Sequence, residues 1–288
     1  MEFSAPLIEK CWPLLLAAVL GIITMEVFKA LFKSKEAYTV DVDPMKDSDE
    51  HDLPRDPLGI RVTGEEEVNH IPYPYFDEIP TEEEMKKKSA EFYKSMKKRR
   101  TVRKISSEPV PLEVIENIVR VAGTSPSGAH TEPWTYVVIR DPDLKKQIKE
   151  VVEEEEQLNY ARRMGEKWVQ DLSILKTTWS KPYIETAPYL ILIFKQVYGI
   201  KPDGDKKVHY YNEISVCISC GLLLAAIQNA GLVTVTSTPM NAGPRLRVLL
   251  NRPQNEKLIM LLPVGYPAKD AEVPNLTRKP LEEIMVLK

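Results

Sequence analysis

One long apolar helix constrains the fold of this chain more than any other feature. The segment 212–231, NEISVCISCGLLLAAIQNAG, carries apolar residues on nearly every helical face. A helix of this kind must be buried all round, either in a large core or at a subunit interface. The sequence therefore predicts a domain built around this helix, or a second copy packed against it.

The rest of the C-terminal region alternates between helical and strand patterns. Helical periodicity covers 81–100, 111–123 and 142–163, and strand-like apolar runs cover 135–141, 187–195, 232–238 and 257–267. Helices that interleave with several short strands indicate the α/β or α+β class. The formal net charge is −3, so no global basic field attracts nucleic acid, and any anion site must be a local cluster.

The N-terminal region differs in composition from the rest of the chain. An apolar run from Cys11 continues to about Phe32, which is long enough for a membrane span, with a cleaved signal peptide or a buried helix as alternatives. Lysines follow the run, and the three cysteines form no disulfide framework, so the bulk of the chain is expected in the cytosol. The sequence predicts an anchor over 1–33 in the plasma membrane or a vesicle membrane. It also predicts an acidic flexible linker over 34–70 and a globular domain over 71–288.

A cationic run stands out in this acidic chain. Six of the eight residues between Lys97 and Lys104 are basic. A solvated helix end accounts for two or three of them, and nucleic-acid binding lacks an accompanying aromatic platform. A phosphate clamp explains the run better, because arginine forks bind phosphate oxygens in bidentate fashion.

Two loops and a cysteine pair are further candidate sites. The loop 123–134 contains small residues that allow a flat ligand to approach its backbone, and the loop 236–243 begins with three hydroxyls at a strand end. Either loop could instead be a plain turn. Cys217 and Cys220 are interpreted as core residues rather than a redox pair, and the four histidines show no metal-ligand spacing.

The order of three motifs carries a family resemblance. RRTVR at 99–103, SPSGAHTEPW at 125–134 and TSTP at 236–239 resemble the nitroreductase superfamily of flavin enzymes, and within it the iodotyrosine deiodinase family. The resemblance runs from about Ile71 to the C-terminus and includes the N-terminal anchor. It implies an α+β fold with a mixed sheet flanked by helices, in a domain-swapped homodimer with FMN at the subunit interface.

The resemblance also implies the cofactor-binding residues. In that family the arginine cluster holds the FMN phosphate, and the present chain has Thr101 where the family usually has serine. The implied FMN-binding set is Arg99, Arg100, Thr101, Val102, Arg103, Ser127, Gly128, Thr236, Ser237, Thr238 and Arg278. Thr238 is the implied catalytic residue, because a hydrogen bond to flavin N5 favours one-electron over hydride chemistry.

Glu156, Tyr160 and Lys181 form the predicted substrate site. Glu156 and Tyr160 are four residues apart and share a helix face. A free amino acid needs an anion for its ammonium and a cation or hydroxyl for its carboxylate, which these residues supply together with Lys181. The match to the deiodinase positions is direct, and there the Ala129 N–H holds the substrate phenolate. Glu153, Glu154 and Glu155 are interpreted as solvated surface.

The function implied is reductive dehalogenation of mono- and diiodotyrosine to tyrosine and iodide, which salvages iodide. NADPH is the implied ultimate electron donor, through a separate reductase. Closure of a lid over about 153–182 would expel water from the site. Two alternatives remain at this stage: a membrane-tethered reductase of nitroaromatics or quinones, and a non-catalytic scaffold whose basic run binds acidic lipid or RNA.

Overall fold

The computed structural model describes residues 71–75 and 78–288. The predicted anchor over 1–33 and the predicted linker over 34–70 lie outside the described residues. The predicted globular domain falls almost entirely inside them.

A central antiparallel sheet organises the described part of the chain. Its strands, in the order β1-β2-β6-β5, are β1 (Trp134–Ile139), β2 (Tyr189–Gln196), β6 (Glu256–Gly265) and β5 (Val233–Thr234). A parallel bridge from Thr101 to Thr234 extends the sheet beyond β5 and makes it mixed. A separate small hairpin pairs β3 (Tyr198–Ile200) with β4 (Lys206–Val208).

The helices begin where the sequence supplies caps. The Thr81 side chain accepts from the Glu84 N–H while the Glu84 carboxylate accepts from the Thr81 N–H, which forms a capping box. Asp141 caps the helix that opens with Pro142. The helices are α1 (Glu82–Lys97), α2 (Leu112–Gly123), α3 (Pro142–Leu158), α4 (Glu166–Ser173), α5 (Tyr183–Thr186), α6 (Asn212–Asn229) and α7 (Gly243–Leu249).

Helices cover both faces of the sheet, so the domain has three layers. Because side chains alternate along a strand, Leu190, Leu192 and Phe194 of β2 face one helix layer and Ile191 and Ile193 face the other. The first layer packs through Ile148 of α3, Ile184 of α5 and Leu246 of α7. The second layer packs through Ile115 and Ile118 of α2 and Leu223 and Ile227 of α6. Burial on both faces explains the unbroken apolar run of β2.

Helix α6 is buried on one side only within the single chain. Its inner face carries Val216, Cys220 and Leu223 into the core, whereas Ile214 and Ile218 on the outer face are 54% and 45% exposed. Of the described helices, it is the one that is long and apolar enough to cross a membrane, although core helices of soluble proteins also meet that criterion. The alternative of burial entirely within one core is therefore wrong, and the subunit-interface alternative remains.

The cysteine pair on α6 is split between the two faces. Cys220 is buried as predicted, but Cys217 is exposed, so its assignment to the core is wrong for this chain. Burial raises the pKa of both thiols, that of Cys220 to about 12. A raised pKa disfavours the thiolate that redox exchange requires, so neither thiol is activated for that reaction.

The helix predicted over 142–163 changes type near its end. The α-helical segment stops at Leu158, and a π turn occupies Asn159–Arg163, where the Met164 N–H donates to the Asn159 carbonyl at 3.0 Å. Single π turns are rare inside helices and are frequently found at functional sites.

Candidate active site

Four arginines meet in one cleft, as the sequence predicted for an anion site. Arg99, Arg100 and Arg103 come from the segment after α1, and Arg278 reaches the cleft from the C-terminal segment, where it donates to the Arg99 carbonyl at 3.4 Å. The cleft has a volume of about 110 Å³. Its lining also includes Thr101, Leu175, Val273, Pro274 and Leu276.

The electrostatics of this cleft favour a bound anion. Partial burial lowers the pKa of Arg99, and the like charges of Arg278 and Arg100 lower it further. The Arg103 Nε is buried and has no hydrogen-bond partner among the described residues. Unpartnered buried donors carry a substantial free-energy cost, which an anion with several oxygens would relieve. A phosphate group fits this donor set.

Val102 holds the arginine segment against the sheet. Its side chain is buried, and its N–H donates to the Thr234 carbonyl at 3.1 Å. Because side chains alternate along an extended segment, Thr101 and Arg103 face away from the core when Val102 faces into it. Val102 was predicted to bind the cofactor. In the structure its buried side chain and its backbone hydrogen bond orient the neighbouring Thr101 and Arg103.

The side chains of Thr236, Ser237 and Thr238, which follow β5, also alternate in direction along the chain. Ser237 exchanges backbone hydrogen bonds with Leu261 and is half-buried. Thr236 and Thr238 are exposed. Two of the three predicted residues therefore have side chains open to solvent, whereas Ser237 is tied to the sheet through its backbone.

Glu156, Tyr160 and Lys181 come together as predicted. The Lys181 Nζ lies 3.1 Å from the Glu156 Oε2 and 5.5 Å from the centre of the Tyr160 ring. Lys181 is buried, and its Nζ also donates to the Thr178 carbonyl. Burial raises the pKa of Tyr160, against smaller opposing effects from its hydrogen bond with Thr177 and from Arg103, so its phenol remains a neutral donor at physiological pH.

The interpretation of the neighbouring glutamates as solvated surface is wrong for two of them. Glu153 accepts from the Ser180 hydroxyl at 3.1 Å and from the Lys181 N–H at 2.6 Å, so it fixes the backbone at Lys181. Glu155 is largely buried and pairs with Arg163 at 2.9 Å. Glu154 is exposed and pairs with Arg245. Sequence patterns do not reveal the contacts of Glu153, because Ser180 and Lys181 lie 27 and 28 residues further along the chain.

The loop that carries Ser127, Gly128 and Ala129 has a strained backbone. Ala129, His130 and Glu132 all have positive φ, between 45° and 52°, which non-glycine residues rarely adopt. The Gly128 N–H donates to the Ser215 Oγ at 3.3 Å, and a Cβ on Gly128 would lie 2.4 Å from the Tyr210 carbonyl oxygen. The loop is therefore held closely against the start of α6.

This loop lies far from the arginine cleft of the same chain. It leads into Trp134, which pairs with Lys195 at one end of β2, whereas the arginine segment bridges Thr234 of β5, which aligns with Tyr189 at the other end. Strands β1 and β5 are also the opposite edges of the four-stranded sheet. At about 3.4 Å per residue and 4.8 Å per strand, the two groups are separated by more than about 20 Å. The structure thus brings together all the predicted site residues except Ser127, Gly128 and Ala129.

Comparison with known proteins identifies the family. Residues 96–266 match the Nitroreductase family. The chain is 56% identical over 284 residues to iodotyrosine deiodinase 1 of Homo sapiens, an alignment that covers 94% of this chain and 97% of the human protein. The chain belongs to the iodotyrosine deiodinases of the nitroreductase family. Iodotyrosine deiodinase of Hydra vulgaris is 65% identical over 213 residues, covering 74% of this chain and 78% of the relative.

A solved structure supports the same family. The crystal structure of an oxidized iodotyrosine deiodinase bound to FMN and 3-iodo-L-tyrosine superposes with a TM-score of 0.57 at 33% identity. The match covers 66% of this chain and 96% of that one. The nitroreductase-like α+β fold expected from the three motifs is therefore confirmed.

Proposed function

We propose that this protein is an FMN-dependent iodotyrosine deiodinase that converts mono- and diiodotyrosine to tyrosine and iodide. The observation that carries the proposal is the cluster of Glu156, Tyr160 and Lys181 beside the arginine cleft. A general nitroreductase has no use for a buried charge pair of this kind, since its substrates carry no zwitterion. The family membership supports the same reaction.

The arginine cleft would hold the FMN phosphate. Arg99, Arg100, Arg103 and Arg278 supply the charge, and Thr101 supplies a hydroxyl. The exposed hydroxyls of Thr236 and Thr238 would face the flavin edge, with Thr238 as the donor nearest the reacting ring. Bound FMN would supply the electrons for reductive cleavage of the carbon–iodine bond.

The substrate zwitterion would replace an internal ion pair. Glu156 and Lys181 now neutralise each other at 3.1 Å. An amino acid would offer its ammonium to Glu156 and its carboxylate to Lys181 and the Tyr160 hydroxyl, so both buried charges stay paired. The segment between Tyr160 and Lys181 carries α4, which has no buried residue and is thus suited to close over the substrate.

A second copy would complete the site. Ser127, Gly128 and Ala129 cannot reach the arginine cleft of their own chain, but their loop is held at the start of α6, the helix whose outer face is exposed. Packing of two chains through that face would bring the loop of one copy toward the cleft of the other. The Ala129 N–H would then be aimed at the substrate phenolate, where a fixed donor stabilises negative charge.

Exposed apolar residues at both ends of the described domain support a domain-swapped form of this homodimer. Ile71, Tyr73, Val286 and Leu287 are each more than three-quarters exposed. An apolar groove of about 470 Å³ lies between α1, α2 and α6 and is lined by Phe92, Val114, Ile118 and Leu222, among others. Extensive exposed apolar surface marks an interaction site, and a terminal segment of the second copy is the proposed occupant.

The proposal also includes a separate reductase as electron source and an N-terminal membrane anchor. An NADPH-linked reductase would reduce the flavin, as the resemblance to the deiodinase family implies. The apolar run near the N-terminus would anchor the protein in the plasma membrane or a vesicle membrane, with the catalytic domain in the cytosol.

Titration of the FMN-loaded, detergent-solubilised protein with diiodotyrosine tests the proposed function. We expect saturable quenching of flavin fluorescence, followed by stoichiometric release of iodide when the flavin is reduced. Bound flavin that responds to nitroaromatics but not to iodotyrosine would indicate a general flavin reductase. A protein that takes up no FMN would indicate a non-catalytic scaffold.

Replacement of Arg103 by alanine tests the phosphate assignment. We expect FMN affinity to fall by about 2 kcal/mol, roughly thirtyfold, because one charge-assisted contact to phosphate is lost. Riboflavin lacks the phosphate, so its affinity should change less than about threefold in the same variant. Equal losses for FMN and riboflavin, measured by fluorescence titration, would place Arg103 against another part of the cofactor.

A further inference from the structure

Asn159, near the N-terminal end of the predicted lid, has a side chain that makes several hydrogen bonds. It is the first residue of the π turn that follows α3, and it is completely buried. Complete burial of a polar side chain requires that its hydrogen bonds be satisfied. Asn159 meets this requirement with four side-chain contacts to three separate parts of the chain.

Both ends of the Asn159 amide are held by neighbours. Its Oδ1 accepts from the Arg163 Nη1 at 3.0 Å and from the Asn241 Nδ2 at 3.1 Å. Its Nδ2 donates to the Met240 carbonyl at 3.3 Å and to the Glu156 Oε1 at 3.3 Å. Met240 and Asn241 belong to the loop that follows Thr238, so this amide links the base of the lid to the loop at the proposed flavin edge.

The contact with Asn159 gives the second oxygen of the Glu156 carboxylate a partner. Its Oε2 lies near the Lys181 Nζ, and its Oε1 accepts from Asn159. Of these two partners, Lys181 lies at the C-terminal end of the lid and would turn to the substrate carboxylate when ligand binds. Asn159 is anchored to the body of the domain through Met240 and Asn241, so it holds the carboxylate in place throughout.

The π turn sets the directions in which the side chains of Asn159 and Tyr160 point. The wide turn leaves the Asn159 carbonyl to accept from Met164 rather than from Arg163. The side chain of Asn159 points inward, while the next residue, Tyr160, remains on the side of Lys181. One local irregularity therefore separates an anchoring residue from an adjacent substrate-binding residue.

We propose that Asn159 is a positioning residue that fixes the Glu156 carboxylate for the substrate ammonium. It acts through Glu156 and touches neither the substrate nor the flavin. A preorganised carboxylate binds more tightly than one that must be ordered on binding, because less rotamer entropy is lost at that step. This inference rests on the proposed deiodinase function.

A double-mutant cycle on the full-length, FMN-loaded protein tests the proposal. Asn159→Ala should raise the Kd for diiodotyrosine about tenfold when Glu156 is present, and less than about twofold when Glu156 is already glutamine. Such non-additivity is the signature of a residue that acts through Glu156, and a purely structural role would not produce it. FMN affinity should stay within about twofold, since no arginine of the cleft is touched.

Asn255→Ala is the matched control. Asn255 is also a buried asparagine, and its Nδ2 donates to the Tyr198 carbonyl at 2.6 Å, away from the lid. Its replacement should lower the Tm, as that of Asn159 does, but leave the Kd for diiodotyrosine unchanged. A rise in Kd with Asn255→Ala as large as that with Asn159→Ala would overturn the proposal.

Asn159→Asp is a second variant that keeps the size of the side chain. Aspartate keeps the acceptor for Arg163 and Asn241, but it places a carboxylate beside Glu156 and the Met240 carbonyl in place of the donor. We expect a raised Kd and a lowered Tm, because the added charge is buried and is offset by Arg163 alone among these contacts. A Kd within about twofold of the unmodified protein in both Asn159 variants would refute the role. Absence of diiodotyrosine binding by the unmodified FMN-loaded protein would instead refute the proposed function itself.

Discussion

Replacement of Glu156 by glutamine is expected to weaken iodotyrosine binding by about 2–4 kcal/mol, because the substrate ammonium would be left desolvated without a counter-charge. Glu156 and Lys181 are both largely buried, with side chains only 13% and 7% exposed. Glutamine preserves the shape of the side chain and one acceptor oxygen, so the loss reports charge rather than packing. In the free protein the same change leaves Lys181 with the Thr178 carbonyl and the face of the Tyr160 ring as its neighbours.

Comparison of two substrates on the Glu156→Gln variant distinguishes the loss of a charge contact with the ammonium from a general loss of activity. The Kd for diiodotyrosine is measured by flavin fluorescence, and nitroaromatic reduction is measured on the same preparation. Nitroaromatic turnover should change less than about twofold, since such substrates have no ammonium. Glu154→Gln is the matched control, because Glu154 is two residues away but exposed and paired with Arg245. Equal losses on both substrates would contradict the zwitterion assignment.

Local patterns predicted most of the regular structure. The capping signal at Thr81 and Glu84 placed α1, and the apolar run after Pro188 placed β2, in each case within a few residues. Periodicity works at these points because each element has one dominant environment, either solvent on one face or core on both. The apolar pattern of α6 also predicted an interface, although it could not indicate which face stays exposed.

Features that depend on distant contacts were not predictable in this way. The π turn at 159–163 replaces the end of a regular helical pattern, and it is stabilised through Met240 and Asn241, about 80 residues away in sequence. The strand predicted over 232–238 is paired regularly only at Val233–Thr234, because Ser237 returns to the sheet as a single bridge. The hairpin of β3 and β4 was missed, since its three-residue strands carry too little periodicity to detect.

In the candidate site too, local patterns were predictable and contacts between distant residues were not. Helix spacing, zwitterion chemistry and the family resemblance predicted that Glu156, Tyr160 and Lys181 lie together, as they do, and their role in binding a substrate stays a prediction. The contacts of Glu153 and Asn159 were not predicted, because a glutamate or asparagine in a polar helix is usually solvated. The sequence also could not show that Ser127–Ala129 and the arginine segment lie at opposite corners of the sheet, since that follows from strand order alone.

Two inactive variants are expected to restore one active site when they share a dimer. In the first variant Arg99 and Arg103 are both replaced by alanine, which removes two of the four arginines proposed to bind the phosphate. In the second, Gly128 is valine, whose Cβ would lie 2.4 Å from the Tyr210 carbonyl oxygen and displace the loop that carries Ala129. Each homodimer should retain less than about 5% of the deiodinase activity, because both of its sites carry the same defect.

The mixed dimer distinguishes where each half of the site originates. If the cleft of one copy is completed by the loop of the other, one of the two sites in the mixed dimer contains neither substitution. Mixed dimers isolated with two different affinity tags should then show about half the iodide release of the unmodified dimer. If cleft and loop came from the same chain, each site would retain one defect and the mixed dimer would be as inactive as its parents. Because the sheet places these two groups more than about 20 Å apart within one chain, recovery of activity is the expected result.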